Sequence, residues 1–368
     1  MFIAILKCFV KVNDKKILVM SFGGRKYDDS PKEVYEALKK DPFFADYDIV
    51  WGFLAPEKFK HLGLKTVKVD TFKFYIYALS SRIWINNSSV ERGLNLRRSN
   101  TIEFNTWHGT PIKKLGDDIN TQMAYRRKKR KIGTVRYCSQ SEYDREIFSR
   151  LFKTDISNII ISDLPRNDNL AHTANSEIDD IGLKLNIPKD KKIILYAPTF
   201  REYSRDALNN CVLYPPIDFK KWKKELGNEY VLLFRAHYEV VKALDIKNDS
   251  FIMDVSDWPQ LSELIKISDI LISDYSSIYF DYAITEKPMF NFSYDYEEYL
   301  EKRGTYIDLR KELPCKVNLN EDTLIEEIKT FNYEEYCKKT IKFKEKYAPY
   351  AGQATYKVLE ELKKIIKQ

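Results

Sequence analysis

The sequence predicts an α/β protein of two domains, each a parallel sheet covered by helices on both faces, with the two sheets facing each other across a cleft. Three observations carry this. The chain has 368 residues, enough for two cores of ordinary size. Short apolar runs alternate with amphipathic stretches of helical spacing, the signature of a parallel sheet with crossover helices. The alternation occurs twice, interrupted by the more polar stretch 171–192.

Taken in order, "MFIAILKCFVKV" opens on a short apolar run with no basic segment before it and no small-residue cleavage site. It reads as a first strand or an interfacial helix, too short to span a bilayer. Strands follow at "KKILVMSF" (15–22), "YDIVWGFL" (47–54), "RIWINN" (82–87), "IEFNTW" (102–107) and "NIIIS" (158–162). Between the first two lies "SPKEVYEALKK" (30–40), a helix that Ser30 caps and Pro31 opens. The second series is "IILYAPTF" (193–200), "EYVLLFRAH" (229–237), "DILISDYSS" (269–277) and "KPMFNFS" (287–293). The expected domains are 1–175, 190–331 and a tail, 332–368, of two charged helices, the last of which returns to brace the first domain. Ligands of such sheets sit at the C-terminal ends of the strands.

Composition narrows the function. Lys and Arg outnumber Asp and Glu, 61 to 54, which suits an anionic ligand or surface without demanding nucleic acid. Cys8, Cys138, Cys211, Cys315 and Cys337 are odd in number, far apart and without a CxxC pair, so neither a disulfide framework nor a zinc site is expected and a reducing cytosol is the natural compartment. No GxxxxGK[ST] and no GxGxxG after a strand disfavours P-loop and dinucleotide enzymes. With no HExxH or His/carboxylate cluster, no metal site is expected, and any divalent ion would enter through nucleotide phosphates.

The polar residues at the strand ends are the informative ones. "NTWHGTPIKK" (105–114) places His108 after a strand, and Thr110 and Pro111 read as the N-cap and first residue of a helix. A helix start beside His108 would keep its imidazole neutral and offer N–H groups to an anion. Structural, metal-ligand and base roles all remain open on this fragment. In the second half, Thr199 and Arg201 end one strand, Arg235 and His237 leave another on the same face, and Asp274, Ser276 and Ser277 end a third at a helix start. Together they suit a phosphate. "SFGGRKY" (21–27) is a tight turn with a possible acceptor or phosphate contact. The basic run Arg126, Arg127, Lys128, Lys129, Arg130, Lys131 suits an anionic membrane surface better than duplex nucleic acid.

These motifs, with "PRNDNL" (165–170), "YAPTFR", "RAH", "DILISDYSSIYFDYAITEKPMFNF" and "YLEKRGTYIDL", resemble in content and order the CDP-glycerol glycerophosphotransferase family, the teichoic acid primases and polymerases of Gram-positive bacteria. The resemblance covers about residues 15–310. It implies a GT-B-like fold of two Rossmann-like domains, 1–175 on the acceptor side and 190–331 on the CDP-donor side, and transfer of glycerol phosphate from CDP-glycerol, or ribitol phosphate from CDP-ribitol, to a lipid-linked saccharide or polyol-phosphate acceptor at the inner membrane face. His108 matches the base and His237 the catalytic residue at the donor pyrophosphate. Thr199, Arg201, Arg235, Asp274, Ser276 and Ser277 are then expected on the donor, Asp274 either binding a donor hydroxyl or orienting the loop, and Gly109, Thr110, Lys113 and Lys114 on the acceptor. Arg166 matches a residue of structural or domain-junction type. The alternatives are another GT-B nucleotide-sugar transferase or epimerase, and a non-catalytic protein that binds anionic lipid or nucleic acid.

Overall fold

The computed structural model describes residues 2–119, 133–201, 203, 215–236 and 246–368. The chain divides into two compact units. One comprises Met1–His108, Arg127–Asn169 and Tyr350–Gln368, the other Gly109–Arg126 and Leu170–Pro349.

The first unit is built on seven strands: β1 (Asn13–Met20), β2 (Asp48–Phe53), β3 (Thr66–Lys68), β4 (Ser81–Asn86), β5 (Ile102–Asn105), β6 (Thr134–Ser139) and β7 (Ile159–Ile161). Every pairing is parallel, and the order is β3-β2-β1-β4-β5-β6-β7. A sheet covered on both sides has apolar residues at successive positions, and β1 shows how they part. Ile17 and Val19 pack with Val34, Tyr35 and Leu38 of the helix Asp29–Lys40 and with Val358, Leu362 and Ile365 of the terminal helix. Leu18 and Met20 pack on the other face with Phe74, Ala78 and Leu79 of the helix Phe72–Ser80.

The tail parts company with itself. Helix Tyr333–Tyr347 stays in the second unit, where Phe343 stacks on Phe280 at 5.4 Å, while helix Ala354–Lys367 joins the core of the first. That last helix is capped from afar. Asp168 of "PRND" accepts from Ala354 N at 2.7 Å and Thr355 N at 2.8 Å, satisfying two of its orphan donors.

The second unit holds β8 (Lys192–Tyr196), β9 (Tyr230–Phe234), β10 (Ile252–Asp254), β11 (Ile270–Ser273), β12 (Met289–Phe292) and β13 (Val317–Asn318). They are parallel in the order β10-β9-β8-β11-β12-β13. In both sheets the strand order reverses once, between β1 and β4 in the first and between β8 and β11 in the second. A crevice opens at such a reversal because the crossovers on either side leave in opposite directions.

Two local expectations are corrected. The helix read as 30–40 begins at Asp29, after Asp28, and Ser30 does not cap it. Ser30 is buried and its Oγ accepts from Arg166 N at 3.3 Å. The helix expected from Thr110 and Pro111 does not form. Residue 110, preceding a proline, is biased toward extended backbone, and the donors and acceptors beyond it are taken by a distant segment. Lys114 N donates to Gly304 O at 3.1 Å, Tyr306 N to Ile112 O at 2.7 Å, and Leu115 N to the Tyr306 hydroxyl at 3.1 Å.

Candidate active site

In the first unit the site grows from the ends of β1, β4 and β5. Asn105 closes β5, and its carboxamide oxygen accepts from Trp107 N at 2.9 Å, turning the chain so sharply that Trp107 takes φ 55°. A bulky residue in the left-handed region is strained and needs support. Here the indole stacks on the His108 ring at 4.2 Å and edges Phe152 at 4.8 Å. On the β1 side the Phe22 ring stands 6.1 Å from His108.

His108 Nδ1 lies 2.7 Å from the carbonyl oxygen of Asn87, just beyond β4. A carbonyl can only accept, so Nδ1 carries the proton and Nε2 keeps its lone pair. The imidazole pKa is held below its ordinary 6.5, chiefly by burial and also by the Arg166 guanidinium; the Asn87 carbonyl and Asp29 oppose this. The neutral histidine expected from sequence is therefore favoured for a different reason: the helix expected at Thr110–Pro111 does not form, and desolvation does the work.

Behind His108 sits an ion pair of which the sequence pointed only to Arg166, as a structural residue. Arg166 donates to the His108 carbonyl at 3.1 Å and to Asp29 Oδ2 at 2.6 Å. Burial is the largest influence on Asp29 and pushes its pKa up, but Arg166 and the Ser30 N–H outweigh it, so the carboxyl stays below its usual range. Asp29 itself has φ 64° and is 8% exposed. A buried, left-handed aspartate at a helix start has no signature in the sequence.

In the second unit the residues assigned to the donor are split. Arg201 is 3% exposed and its donors are committed. Nη1 reaches Asp274 Oδ2 at 2.9 Å and Thr199 O at 2.8 Å, while Nε and Nη2 grip Asp295 at 2.6 and 2.8 Å. The guanidinium lies over the rings of Tyr275, Tyr294 and Tyr299. Burial opposes its charge, yet Asp274 and Asp295 hold its pKa above the ordinary arginine value. Asp274 also accepts from Thr199 N at 3.0 Å, tying the loop after β8 to the end of β11. Arg201 and Asp274 thus hold the loops in place, the loop-orienting role being one of the two expected for Asp274.

Ser276 and Ser277 are half-buried beyond β11, and Ser276 Oγ accepts from Ile278 N at 3.2 Å, at the start of a helix of six residues. Arg235, just past β9, donates to Val255 O and Trp258 O. Lys113 lies over the Phe200 ring at 5.2 Å, and Gly109 and Thr110 are buried; these acceptor candidates and Lys114 begin the second unit, directly after His108 in the chain. His237 and Arg126–Lys131 lie outside the described residues. Among the described residues no group of three His, Cys, Asp or Glu could hold a metal ion.

Two parallel α/β units, one carrying a neutral, tautomer-fixed histidine and the other a polar cluster at its strand reversal, define a GT-B-like transferase. Residues 2–364 match the family described as CDP-Glycerol:Poly(glycerophosphate) glycerophosphotransferase, and the chain belongs to it. It is 32% identical over 376 residues to a teichoic acid glycerol-phosphate transferase of Staphylococcus aureus, covering 97% of this chain and 95% of that one. It is 34% identical over 374 residues to a teichoic acid poly(glycerol phosphate) polymerase of Staphylococcus epidermidis, covering 95% of this chain but 52% of the relative, so the chain spans about half of that polymerase. The structure of the wall teichoic acid polymerase TagF superposes with a TM-score of 0.87 at 32% identity, over 99% of this chain and 93% of that one.

Proposed function

We propose that this protein transfers glycerol phosphate from CDP-glycerol to a hydroxyl of a teichoic acid-type acceptor, a lipid-linked saccharide or polyol phosphate, and releases CMP. The observation that carries this is the neutral His108 with its Nδ1 proton given to the Asn87 carbonyl, which leaves Nε2 to take the acceptor's proton. As that proton transfers, the hydroxyl oxygen attacks the phosphorus in line and the bond to CMP breaks, with no covalent enzyme intermediate. The imidazolium that results is eased by the Asn87 carbonyl and by Asp29. Such a base contributes about 10²–10⁴-fold. Donor phosphates are assigned to the Ser276–Ser277 turn, Arg235 and His237, and the Arg201 cluster holds the turn.

CDP-glycerol is favoured over CDP-ribitol because the S. aureus relative covered almost end to end is named for glycerol phosphate. A divalent ion carried by the nucleotide phosphates is the proposed dependence, if any. For the membrane, the proposal adds to Arg126–Lys131 the helix Phe2–Phe9, on which Phe2, Ile5 and Phe9 are 50–80% exposed, with Phe72 alongside at 6.3 Å from Phe2. No helix among the described residues is long and apolar enough to cross a membrane. The deciding experiment incubates the protein with CDP-glycerol or CDP-ribitol, with and without a glycerol phosphate-primed acceptor and EDTA, and measures CMP. Acceptor-dependent release from CDP-glycerol, lost in His108→Ala with donor binding retained, is expected. Release that needs no acceptor sinks the reading.

A further inference from the structure

The turn after β1 holds an arrangement that none of the roles above uses. Gly23 has φ 64°, and a Cβ built on it would stand 3.3 Å from Arg25 Nη1 and 3.5 Å from Arg92 Nη1, so two guanidinium ends converge over one bare glycine. Arg25 Nη1 rests on the Phe22 carbonyl at 3.1 Å, and Arg92 Nη1 on the Gly23 carbonyl at 3.4 Å. Arg92 is ion-paired to Asp70 at 2.8 Å. Arg25 is exposed and forms no ion pair among the described residues. A third cation, Lys26, stands 5.7 Å over the Phe22 ring, with Asp28 as its neighbouring carboxylate.

Asp70 balances Arg92 but no carboxylate among the described residues pairs with Arg25, so the two converging guanidinium groups carry one unbalanced positive charge, and the backbone beneath them is left-handed. Of the nine non-glycine residues with positive φ among the described residues, five surround this edge: Phe22, Asp29, Asp70, Arg92 and Trp107. Backbone strain of this kind collects at ligand clamps. The pair also has an address. Phe22, which Arg25 holds by its carbonyl, turns its ring to His108 at 6.1 Å.

From this geometry we infer that Arg25 and Arg92 form a subsite for a phosphate of the acceptor, the phosphodiester or phosphomonoester one glycerol back from the hydroxyl that His108 deprotonates. This rests on the transfer reading above and extends it. Guanidinium groups suit phosphate because each offers paired N–H donors in a fork. The subsite would select an acceptor already carrying glycerol phosphate over a neutral saccharide.

The test is direct binding of a fluorescent glycerol phosphate trimer, without donor, to the wild-type protein, Arg25→Ala and Arg25→Glu, with thermal melts as a check on folding. Because Arg25 is exposed, both variants should melt as the wild type does. Arg25→Ala should weaken binding about 5–30-fold and Arg25→Glu further, with a shallower salt dependence. In turnover, KM for the phosphate-bearing acceptor should rise in parallel while KM for CDP-glycerol and for a neutral glyceryl glycoside acceptor stays within twofold. Trimer binding within twofold of wild type in both variants, no trimer binding by the wild type, or an equal loss on the neutral acceptor overturns the subsite. Failure of the wild-type protein to release CMP sinks the transfer reading instead, and trimer binding still decides the subsite.

Discussion

Asp29→Asn is the perturbation that separates holding His108 from powering it. The backbone at position 29 has φ 64°, which asparagine tolerates as well as aspartate does, so the turn is kept. The amide oxygen can still accept from Ser30 N, as the carboxylate does at 2.6 Å. What is lost is one negative charge facing Arg166, at 2.6 Å with side chains 18% and 6% exposed. Breaking a fully buried pair costs about 3–5 kcal/mol; with Arg166 partly solvated and still bonded to the His108 carbonyl, roughly 2–3 kcal/mol is expected. The rate effect follows from charge. Without Asp29 the imidazolium formed during transfer loses an attraction, and each pKa unit so lost is about 1.4 kcal/mol, or tenfold. CMP release should therefore show kcat down about 10–100-fold, KM for CDP-glycerol within threefold, and the acid limb of the pH profile moved to lower pH. A variant that melts earlier but keeps wild-type kcat and acid limb would show that the pair only buttresses the fold, and the reasoning would fail.

Other expectations are simpler. Because folded His108 binds a proton less readily than the unfolded chain, stability falls as pH drops below 6.5 and is unaffected by this residue above it; His108→Gln should flatten the melting temperature between about pH 6.5 and 5. The acid limb of kcat/KM in the wild-type protein should likewise lie below 6.5, and a limb above it would contradict the burial argument. Gly24→Ala places a Cβ 3.0 Å from both Gly52 O and Val69 Cγ2 at φ 90°, and should cost about 2–4 kcal/mol by denaturant titration. Asp168→Ala removes two caps from the helix Ala354–Lys367, about 1–2 kcal/mol, and should make that helix the first site of limited proteolysis; unchanged protection would show that core packing alone holds it.

Strands such as β8, β9 and β11 were legible because they are buried and read as apolar runs, whereas β3, β6, β10 and β13, short or interrupted by polar residues such as Arg136, were not read; the tail was legible as two helices because its charges follow a helical period. Local signals misled where distant partners decide. Thr110 and Pro111 carry a sound helix-start pattern, but nothing nearby shows that residues 304–306 will take the backbone groups beyond them. Arg201 looks like a phosphate ligand because its neutralising carboxylates, Asp274 and Asp295, lie 73 and 94 residues away. His108 was found from its motif and its neutrality was expected for the wrong cause. Asn87 and Asp29 were missed altogether, since a backbone carbonyl and a left-handed carboxylate act only through the fold.

The two strand reversals solve opposite electrostatic problems. At β1/β4 the fold desolvates His108, which favours its neutral form, and sets its counter-charges one step back, with Asp29 already satisfied by Arg166. At β8/β11 a permanent charge is buried, so the fold surrounds Arg201 with two carboxylates and three tyrosine rings. That cluster carries one positive and two negative charges, so it would repel a pyrophosphate that approached it. The Ser276–Ser277 turn beyond β11 carries no such charge, which is why the proposal puts the donor phosphates there rather than on Arg201.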